Sequence, residues 1–412
     1  MRPSSILLLA VVCLDAAPLP SSSRVAIVGG GLAGLSTAIN LIDGGSEQLQ
    51  SIHVYDAFEV GCGGASAVAA GLLHPFTPKG SEIWSGTAGF AATTALVSRC
   101  EEFIGRRVSS GDGLLRLALT DEQADLLRAV PNHAEHAPLE QRWLSRDDAS
   151  RSAGAEVGSG ALGASLAPAA LSIDTPNYLR ALWALIEAEG AKANIDVGWC
   201  TKSVASLAAL QKSDDDSYDA IIVASGARCA DLTELSDLSE VLRLCRGQNL
   251  LLENTGGLRK PLICGKYIVP VADGEHLLAG ATFEYDPPES IHRPASADEA
   301  SDALRASLEA MHPPLGSANV LGASAGVRAL PPRSHLGYVP LTGRLPTAEG
   351  EGEGGGPIGG TWLFTGLGSR GLIHHALVGA AVADAVLSGD EARLPEHTRR
   401  CQEQLPRLRC WS

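Results

Sequence analysis

Three glycines, Gly29, Gly31 and Gly34, stand in G-x-G-x-x-G spacing, the pattern that brings a dinucleotide's pyrophosphate against backbone. The apolar run Val25 to Val28 precedes them and reads as a buried parallel strand; Leu32, Ala33 and the residues to Leu41 read as a helix. Gly29 permits the tight strand-to-helix turn, Gly31 lets phosphate approach, and Gly34 lets the helix lie close on the sheet. The helix start adds unpaired N–H groups and a positive dipole end. A second apolar run, Ile52 to Tyr55, ends at Asp56. A carboxylate there can bond both ribose hydroxyls and repels the extra phosphate of NADP. The spacer before Asp56 is long, and Asp43 to Ser51 is expected as an extended turn.

Other elements must hold these residues in place. Gly61 to Pro75 is rich in small residues, so backbone there can pass close to a flat ligand, and it closes on Gly71-Leu72-Leu73. Residues 82–104 read as a helix burying Trp84, Phe90, Leu96 and Phe103. Leu114 to Leu119 reads as a strand, and Thr120-Asp-Glu-Gln123 as a capping box. Thr175-Pro176 reads as an N-cap with proline at the first helical position, and Gly190 as the stop. Tyr218 to Ala227 holds another buried strand, ending at Gly226, after the acidic run Asp214 to Asp216. From Arg246 the texture turns to strands and hairpins, with Tyr267–Val271 and His276–Gly280 flanking a turn. Ser296-Ala-Asp-Glu299 caps a helix with Leu304, Leu308 and Met311 on one face. Glu349 to Gly360 is a low-complexity loop. Thr361 to Thr365, the glycine turn Gly366-Leu-Gly-Ser-Arg-Gly371 and the helix Leu372 to Leu387 then repeat strand, turn, helix.

The predicted fold is α/β: a discontinuous Rossmann-like domain and an α+β substrate domain on a mainly antiparallel sheet. Residues 24–105, 171–245 and 326–390 form the first, and residues 106–170 and 246–325 the second. Residues 1–23, with Arg2, the apolar Ile6–Leu14 and a small polar exit, read as a targeting segment for the secretory pathway or an organelle reached through it; the alternative is cytoplasmic. Residues 391–412 form a tail. Net charge is −15 and aromatics are 4%, which disfavours unaided gripping of nucleic acid. No run reaches the length of a membrane span. Nine scattered cysteines show no metal-ligand spacing; Cys401 and Cys410 are candidates for a disulfide.

The chain resembles the D-amino-acid-oxidase-like FAD-dependent oxidoreductases over almost everything after residue 23. The motifs that carry this are Val28-Gly-Gly-Gly-Leu-Ala-Gly34, Gly64-Ala-Ser66, Gly71-Leu-Leu73, Ile222-Val-Ala-Ser-Gly-Ala227, Gly280-Ala-Thr282, Gly326-Val-Arg328 and Gly366-Leu-Gly-Ser-Arg-Gly-Leu372. Within the family, Gly71-Leu-Leu-His-Pro75 and Gly366–Leu372 are similar to the FAD oxidase half of a bifunctional enzyme. That enzyme makes 5-methylaminomethyl-2-thiouridine at the tRNA wobble position.

The resemblance implies non-covalent FAD and dehydrogenation at a carbon–nitrogen bond, with flavin N5 accepting hydride. Asp56 would hold the adenosine ribose and Val204 the adenine through its backbone. Ser66, Gly71 and Leu72 would lie near the flavin, and Gly226 beside the nucleotide. Gly366, Gly368, Ser369, Gly371 and Leu372 would aim a helix N-terminus at the flavin's electron-rich edge. Arg328 would clamp a substrate carboxylate, and Arg370 would flank that pocket or the flavin. His74, His374 and His375 read as packing or helix-start histidines, because hydride transfer from a neutral amine needs no base. The implied substrate is a small amine or amino acid bearing a carboxylate, with oxygen or a partner protein taking the electrons. The competing readings are a tRNA wobble-uridine oxidase, a nicotinamide-dependent enzyme, and a non-catalytic flavin-binding or assembly protein.

Overall fold

Two large, unlike sheets divide the work of the chain, one mostly parallel and one mostly antiparallel, beside a small three-stranded one. The computed structural model describes residues 18–399 except 78, 130–139, 211–216, 286–289 and 346–359. Residues 1–17 of the targeting segment, the run Asp214–Asp216, most of the Glu/Gly loop, and Cys401 and Cys410 lie outside the described residues.

In chain order come β1 (Ser23–Val28), α1 (Leu32–Gly45), β2 (Leu49–Asp56), α2 (Gly64–Ala67), β3 (Leu72–Leu73) and α3 (Gly86–Ile104). Next are β4 (Ser109–Ser110), β5 (Leu114–Ala118), α4 (Asp121–Ala129), β6 (Arg142–Leu144), α5 (Arg146–Ala153), β7 (Gly163–Ala167) and β8 (Leu171–Ile173). They are followed by α6 (Thr175–Ala193), β9 (Asp196–Thr201), β10 (Ala220–Val223), α7 (Leu238–Val241) and β11 (Arg243–Glu253). Then come β12 (Leu262–Cys264), β13 (Lys266–Pro270), β14 (His276–Gly280), α8 (Ala297–Met311) and β15 (Val320–Leu330). The last are β16 (Leu341–Leu345), β17 (Thr361–Thr365) and α9 (Gly371–Ser388).

The first sheet runs β16-β17-β10-β1-β2-β9, parallel except for β16. Its central strands are apolar throughout because helices cover one face and buried loop residues the other. The second sheet runs β15-β11-β14-β13-β12-β5-β7-β6, antiparallel except where β12 meets β5. One of its faces packs on α8 through Leu304, Leu308 and Met311, with Leu250, Leu252, Ile268 and Leu277 from the strands. The alternation of strand side chains leaves its other face for the site. This is a Rossmann-like cofactor domain joined to a substrate domain.

Several local expectations shift. α1 continues to Gly45, so the expected turn at 43–51 shrinks to three residues; Gly44 and Gly45 lie under Leu387 of α9, and that close packing carries the helix onward. α6 is capped by Asp174, whose carboxylate accepts the Asn177 N–H at 3.2 Å. It passes through Gly190, where a Cβ would sit 2.3 Å from Val197 Cγ2, and stops at Asn194 in the left-handed region. α3 starts at Gly86, which leaves Trp84 outside it, half-buried against His374. Its buried stripe follows Gly89, Thr93, Val97 and Cys100, so Phe103 falls beside the stripe and is 42% exposed. α9 is long and apolar enough to cross a membrane, contrary to the expectation of no such run. It is two-thirds buried, however, in the core against α1 and α3. β1 begins at Ser23, and Leu19 before it is buried, its N–H donating to Leu387 O at 3.1 Å.

Candidate active site

The three motif glycines have separate structural reasons. Gly29 has φ +111°, and a Cβ there would lie 2.5 Å from the Ala224 carbonyl oxygen on β10. Gly34 lies so close under the turn that a Cβ would meet Gly29 O at 1.9 Å. Gly31 is different: a Cβ would meet only the Ser66 hydroxyl, at 3.0 Å. One glycine serves the turn, one the packing, and Gly31 leaves an open cradle. The Asp56 carboxylate accepts the Gly30 N–H at 2.7 Å and the Phe58 N–H at 3.0 Å. Lys202 N–H donates to Asp56 O at 2.7 Å, which draws the strand exit carrying Val204 to the same end.

α9 lies alongside α1 in the same direction. Ser36 Oγ donates to His375 O at 2.9 Å, and at Gly379 a Cβ would sit 2.4 Å from Ser36 Oγ, so only glycine admits this approach. Their tips meet as well, with Gly371 beside Leu32. Neither N-cap residue closes its helix with a side chain, although Ser66 Oγ takes the first N–H of α1. The two helix starts therefore point their positive ends into one region. Gly366 (φ +73°) and Gly368 (φ +56°) shape the turn into α9, and Gly368 N–H ties it to Ala329 O of β15 at 3.0 Å. Ser369 is exposed on that turn, and Leu372 is buried one step into the helix. Ser66 Oγ accepts the Leu32 N–H at 3.2 Å. Gly71 passes tight against β8, where a Cβ would be 1.8 Å from Ile173 O, and so places half-buried Leu72. Gly226 follows β10, and its carbonyl accepts from Thr365 Oγ1 at 3.2 Å.

The histidines are neutral. His375 is buried, with Nδ1–H toward the Gly371 and Leu372 carbonyls at 3.1 and 3.2 Å and Nε2 accepting from Tyr178 at 2.9 Å. Burial brings its pKa down to about 4. Burial, with the nearby charge of Arg370, brings buried His374 to about 3. Its two ring nitrogens have no hydrogen-bond partner among the described residues. His74 is also brought to about 3, by burial and then by the charges of Arg116 and Arg370.

On the second sheet, register pairs Arg116, Ile263, Tyr267, Gly280, Asn249 and Ser324 in one row across five strands and their neighbour β5. Paired residues share a face, so Arg116, Tyr267 and Asn249 all project from the side opposite α8. Arg328, four residues along β15 from Ser324, projects from it too. Its guanidinium lies flat over Gly247, where a Cβ would be 2.3 Å from Nη2. Its described contacts are the Cys245 thiol at 3.8 Å, the Phe283 ring at 5.1 Å and the Tyr267 hydroxyl, with no carboxylate among them. Tyr267 Oη donates to Asn249 Oδ1 at 2.6 Å, and Asn249 Nδ2 donates to Val68 O at 2.7 Å. Gly326 lies against Val68 and Ala65, where a Cβ would be 2.6 and 2.9 Å from them. These contacts clamp the segment after α2 onto the second sheet. Burial pushes the Tyr267 hydroxyl up to about 12. Lys266 donates to Ala281 O at 2.7 Å, and burial, then Arg328, lowers its pKa.

The chain matches the family described as FAD dependent oxidoreductase (DAO) over residues 24–385. It belongs to that family. It is 27% identical to a glycine oxidase of Pseudomonas putida, over 80% of this chain and 87% of the relative. It is 25% identical to the tRNA 5-methylaminomethyl-2-thiouridine biosynthesis bifunctional protein of Pseudomonas syringae pv. syringae, over 92% of this chain. There the chain spans only 58% of the relative's length. The crystal structure of iminodiacetate oxidase from Chelativorans sp. BNC1 superposes with TM-score 0.69 at 21% identity, over 91% of this chain and 98% of that one. The protein is thus an FAD-dependent oxidoreductase.

The residues present fit FAD. The open cradle at Gly31, the two helix starts and a carboxylate at the end of β2 are what a diphosphate, an anionic ring edge and a ribose require. The first sheet gathers Gly29 to Gly34, Asp56, Val204 and Gly226 along the ends of its strands, with Gly366 to Leu372 beside them. Arg328 stands apart, on the second sheet. The sequence reading missed Tyr267, Asn249 and Arg116, whose shared face depends on long-range strand pairing, and Lys266 beside Tyr267. It also missed Trp199, whose ring lies where a Cβ on Gly30 would be 2.0 Å from Cη2.

Proposed function

We propose that this flavoenzyme oxidises a small N-substituted glycine at the carbon next to its carboxylate. The amine becomes an imine by loss of a hydride and a proton, and water then releases glyoxylate and a primary amine. FAD, when bound, supplies the two-electron acceptor for that hydride. The observation that carries this reading is Arg328, a guanidinium aimed at the open face of the sheet without a carboxylate of its own. A planar fork held in that way suits a bidentate carboxylate. Tyr267, fixed through Asn249 to Val68, is placed on the same face as a further hydroxyl. Asp56 would hold the ribose, Val204 the adenine, and Gly31 to Gly34 the pyrophosphate; Ser66, Leu72, Arg370 and the start of α9 would border the flavin.

The names of the relatives, glycine oxidase and iminodiacetate oxidase, support a small glycine-type substrate. The net charge of −15 weighs against whole tRNA as an unaided partner. The test compares sarcosine with N-methylethylamine, its carboxylate-free analogue, in the wild type and in Arg328→Leu. Arg328→Leu should keep its FAD and lose about 2–5 kcal/mol of specificity for sarcosine. Unchanged sarcosine kinetics would remove Arg328 from the site.

A further inference from the structure

Arg116 is left over when the family's chemistry has been placed. It sits in the middle of β5, half-buried and strongly desolvated, and no hydrogen-bond or ion-pair partner for its guanidinium occurs among the described residues. Burial alone brings it down to about 10. An unpaired buried cation is costly, and proteins retain one where something anionic comes to meet it. Arg116 lines a narrow cavity with His74, Thr77, Gln141 and Ser165, closed by Leu114 and Leu127. Ser165 is its direct cross-strand partner, so hydroxyl and guanidinium point the same way. His74 is neutral there and adds no charge, but a hydrogen-bonding ring. The cavity opens beside the loop that follows Gly71 and Leu72, and His74 feels the charges of both Arg116 and Arg370. None of the described residues that line it is a carboxylate.

Arg116 and Arg328 project from one face of one sheet, from its sixth and first strands, β5 and β15. Five strand steps and an offset of four residues along β15 part their backbones, about 27 Å in all. Arg328 reaches inward over Gly247, one strand nearer. With Arg116 also extended, roughly 10–15 Å remains between the two guanidinium groups.

We propose that Arg116, with Ser165 and His74, forms a second anion subsite, and that the substrate is an N-substituted glycine whose nitrogen arm ends in another acidic group. The glycine carboxylate lies on Arg328, the arm crosses the sheet face past Tyr267, and the distal anion lies on Arg116. No bond changes at Arg116; it selects and orients. This rests on the N-substituted glycine reading, and the test separates the two.

FAD-loaded full-length protein is assayed with sarcosine, N-carboxymethyl-ω-aminooctanoate, the same compound with a terminal carboxamide, and the same arm ending in a phosphonate. The wild type should prefer the distal carboxylate over the carboxamide by about 30-fold or more in kcat/KM. The phosphonate arm shows whether the distal anion is read as carboxylate or as phosphate-like. Arg116→Gln should abolish that preference and leave sarcosine turnover within about twofold, while Arg116→Lys should retain part of it. Equal preference in wild type and Arg116→Gln overturns the inference. Binding of suberate against its monoamide, by calorimetry, gives a readout without turnover. Suberate binding weakened in Arg116→Gln upholds the subsite even if sarcosine fails to reduce the flavin, in which case only the glycine reading falls. Suberate binding that ignores Arg116 overturns the subsite whatever sarcosine does. Normal flavin content and thermal stability of Arg116→Gln show that the variant is folded.

Discussion

Gly247→Ala is a sharp perturbation of the substrate clamp, because it adds one methyl group and removes nothing. That methyl would lie 2.3 Å from Arg328 Nη2, 2.6 Å from Nη1 and 2.7 Å from Cζ. Favourable contact begins near 3.5 Å, so the guanidinium must lift by about 1 Å. The neighbour is the far end of a flexible side chain, so the fold absorbs the change cheaply. Alanine in a strand interior is also no burden, since it restricts the unfolded chain by about 0.4–1 kcal/mol relative to glycine. The carboxylate held by the guanidinium moves with it. A misplacement of about 1 Å at a reacting centre costs on the order of 100-fold in rate, or about 2.7 kcal/mol. Steady-state kinetics on sarcosine should therefore show kcat/KM down by about 100-fold, with full flavin content and an unchanged or higher melting temperature. N-methylethylamine, without a carboxylate, should be turned over equally by both proteins. A sarcosine kcat/KM within about threefold of wild type would show that the guanidinium over Gly247 is not the carboxylate clamp.

Gly31→Val should fold and purify colourless, since its side chain meets only the Ser66 hydroxyl and otherwise fills the phosphate cradle; a yellow variant with normal flavin content would refute the cradle. Tyr178→Phe removes the hydroxyl that donates to buried His375 and should cost about 1–3 kcal/mol, read as a lower unfolding midpoint in denaturant. His74, His374 and His375 titrate at about 3, 3 and 4 in the fold, against about 6.5 in the unfolded chain. The unfolded state therefore binds more protons below that value, and stability should fall as pH drops from about 6.5 toward 4. For the same reason kcat/KM should show no histidine inflection between about pH 5 and 8, rising instead as the substrate amine loses its proton. An inflection lost in a His374→Asn variant would make that ring an acid–base participant.

The cofactor end of the molecule was legible because its signals are local. Strand, glycine turn and helix are contiguous at residues 25–41 and again at 361–387, and both units form as written. The antiparallel texture after Arg246 was legible too, from the hairpin at 272–275. The turn at 43–51 and the stop at Gly190 were misread because tertiary packing overrode the local preference of glycine: Leu387 and Val197 occupy the space where a side chain would be. The substrate face was the least legible. Arg116, Tyr267, Asn249 and Arg328 come together only through the order β15-β11-β14-β13-β12-β5, and no spacing in the chain encodes that order. Arg328 was found because glycine and a family motif flank it; Arg116, inside Leu114–Ala118, carries no such flag.

The account's central claim is that a small N-substituted glycine donates its electrons here. Anaerobic titration of the FAD-bound protein with sarcosine tests it in one cuvette. The account predicts bleaching of the flavin's visible absorbance, with glyoxylate and methylamine released in equal amounts to the flavin reduced. A flavin that stays oxidised with sarcosine and other N-alkyl glycines, yet bleaches with tRNA carrying carboxymethylaminomethyl uridine at physiological salt, would contradict it.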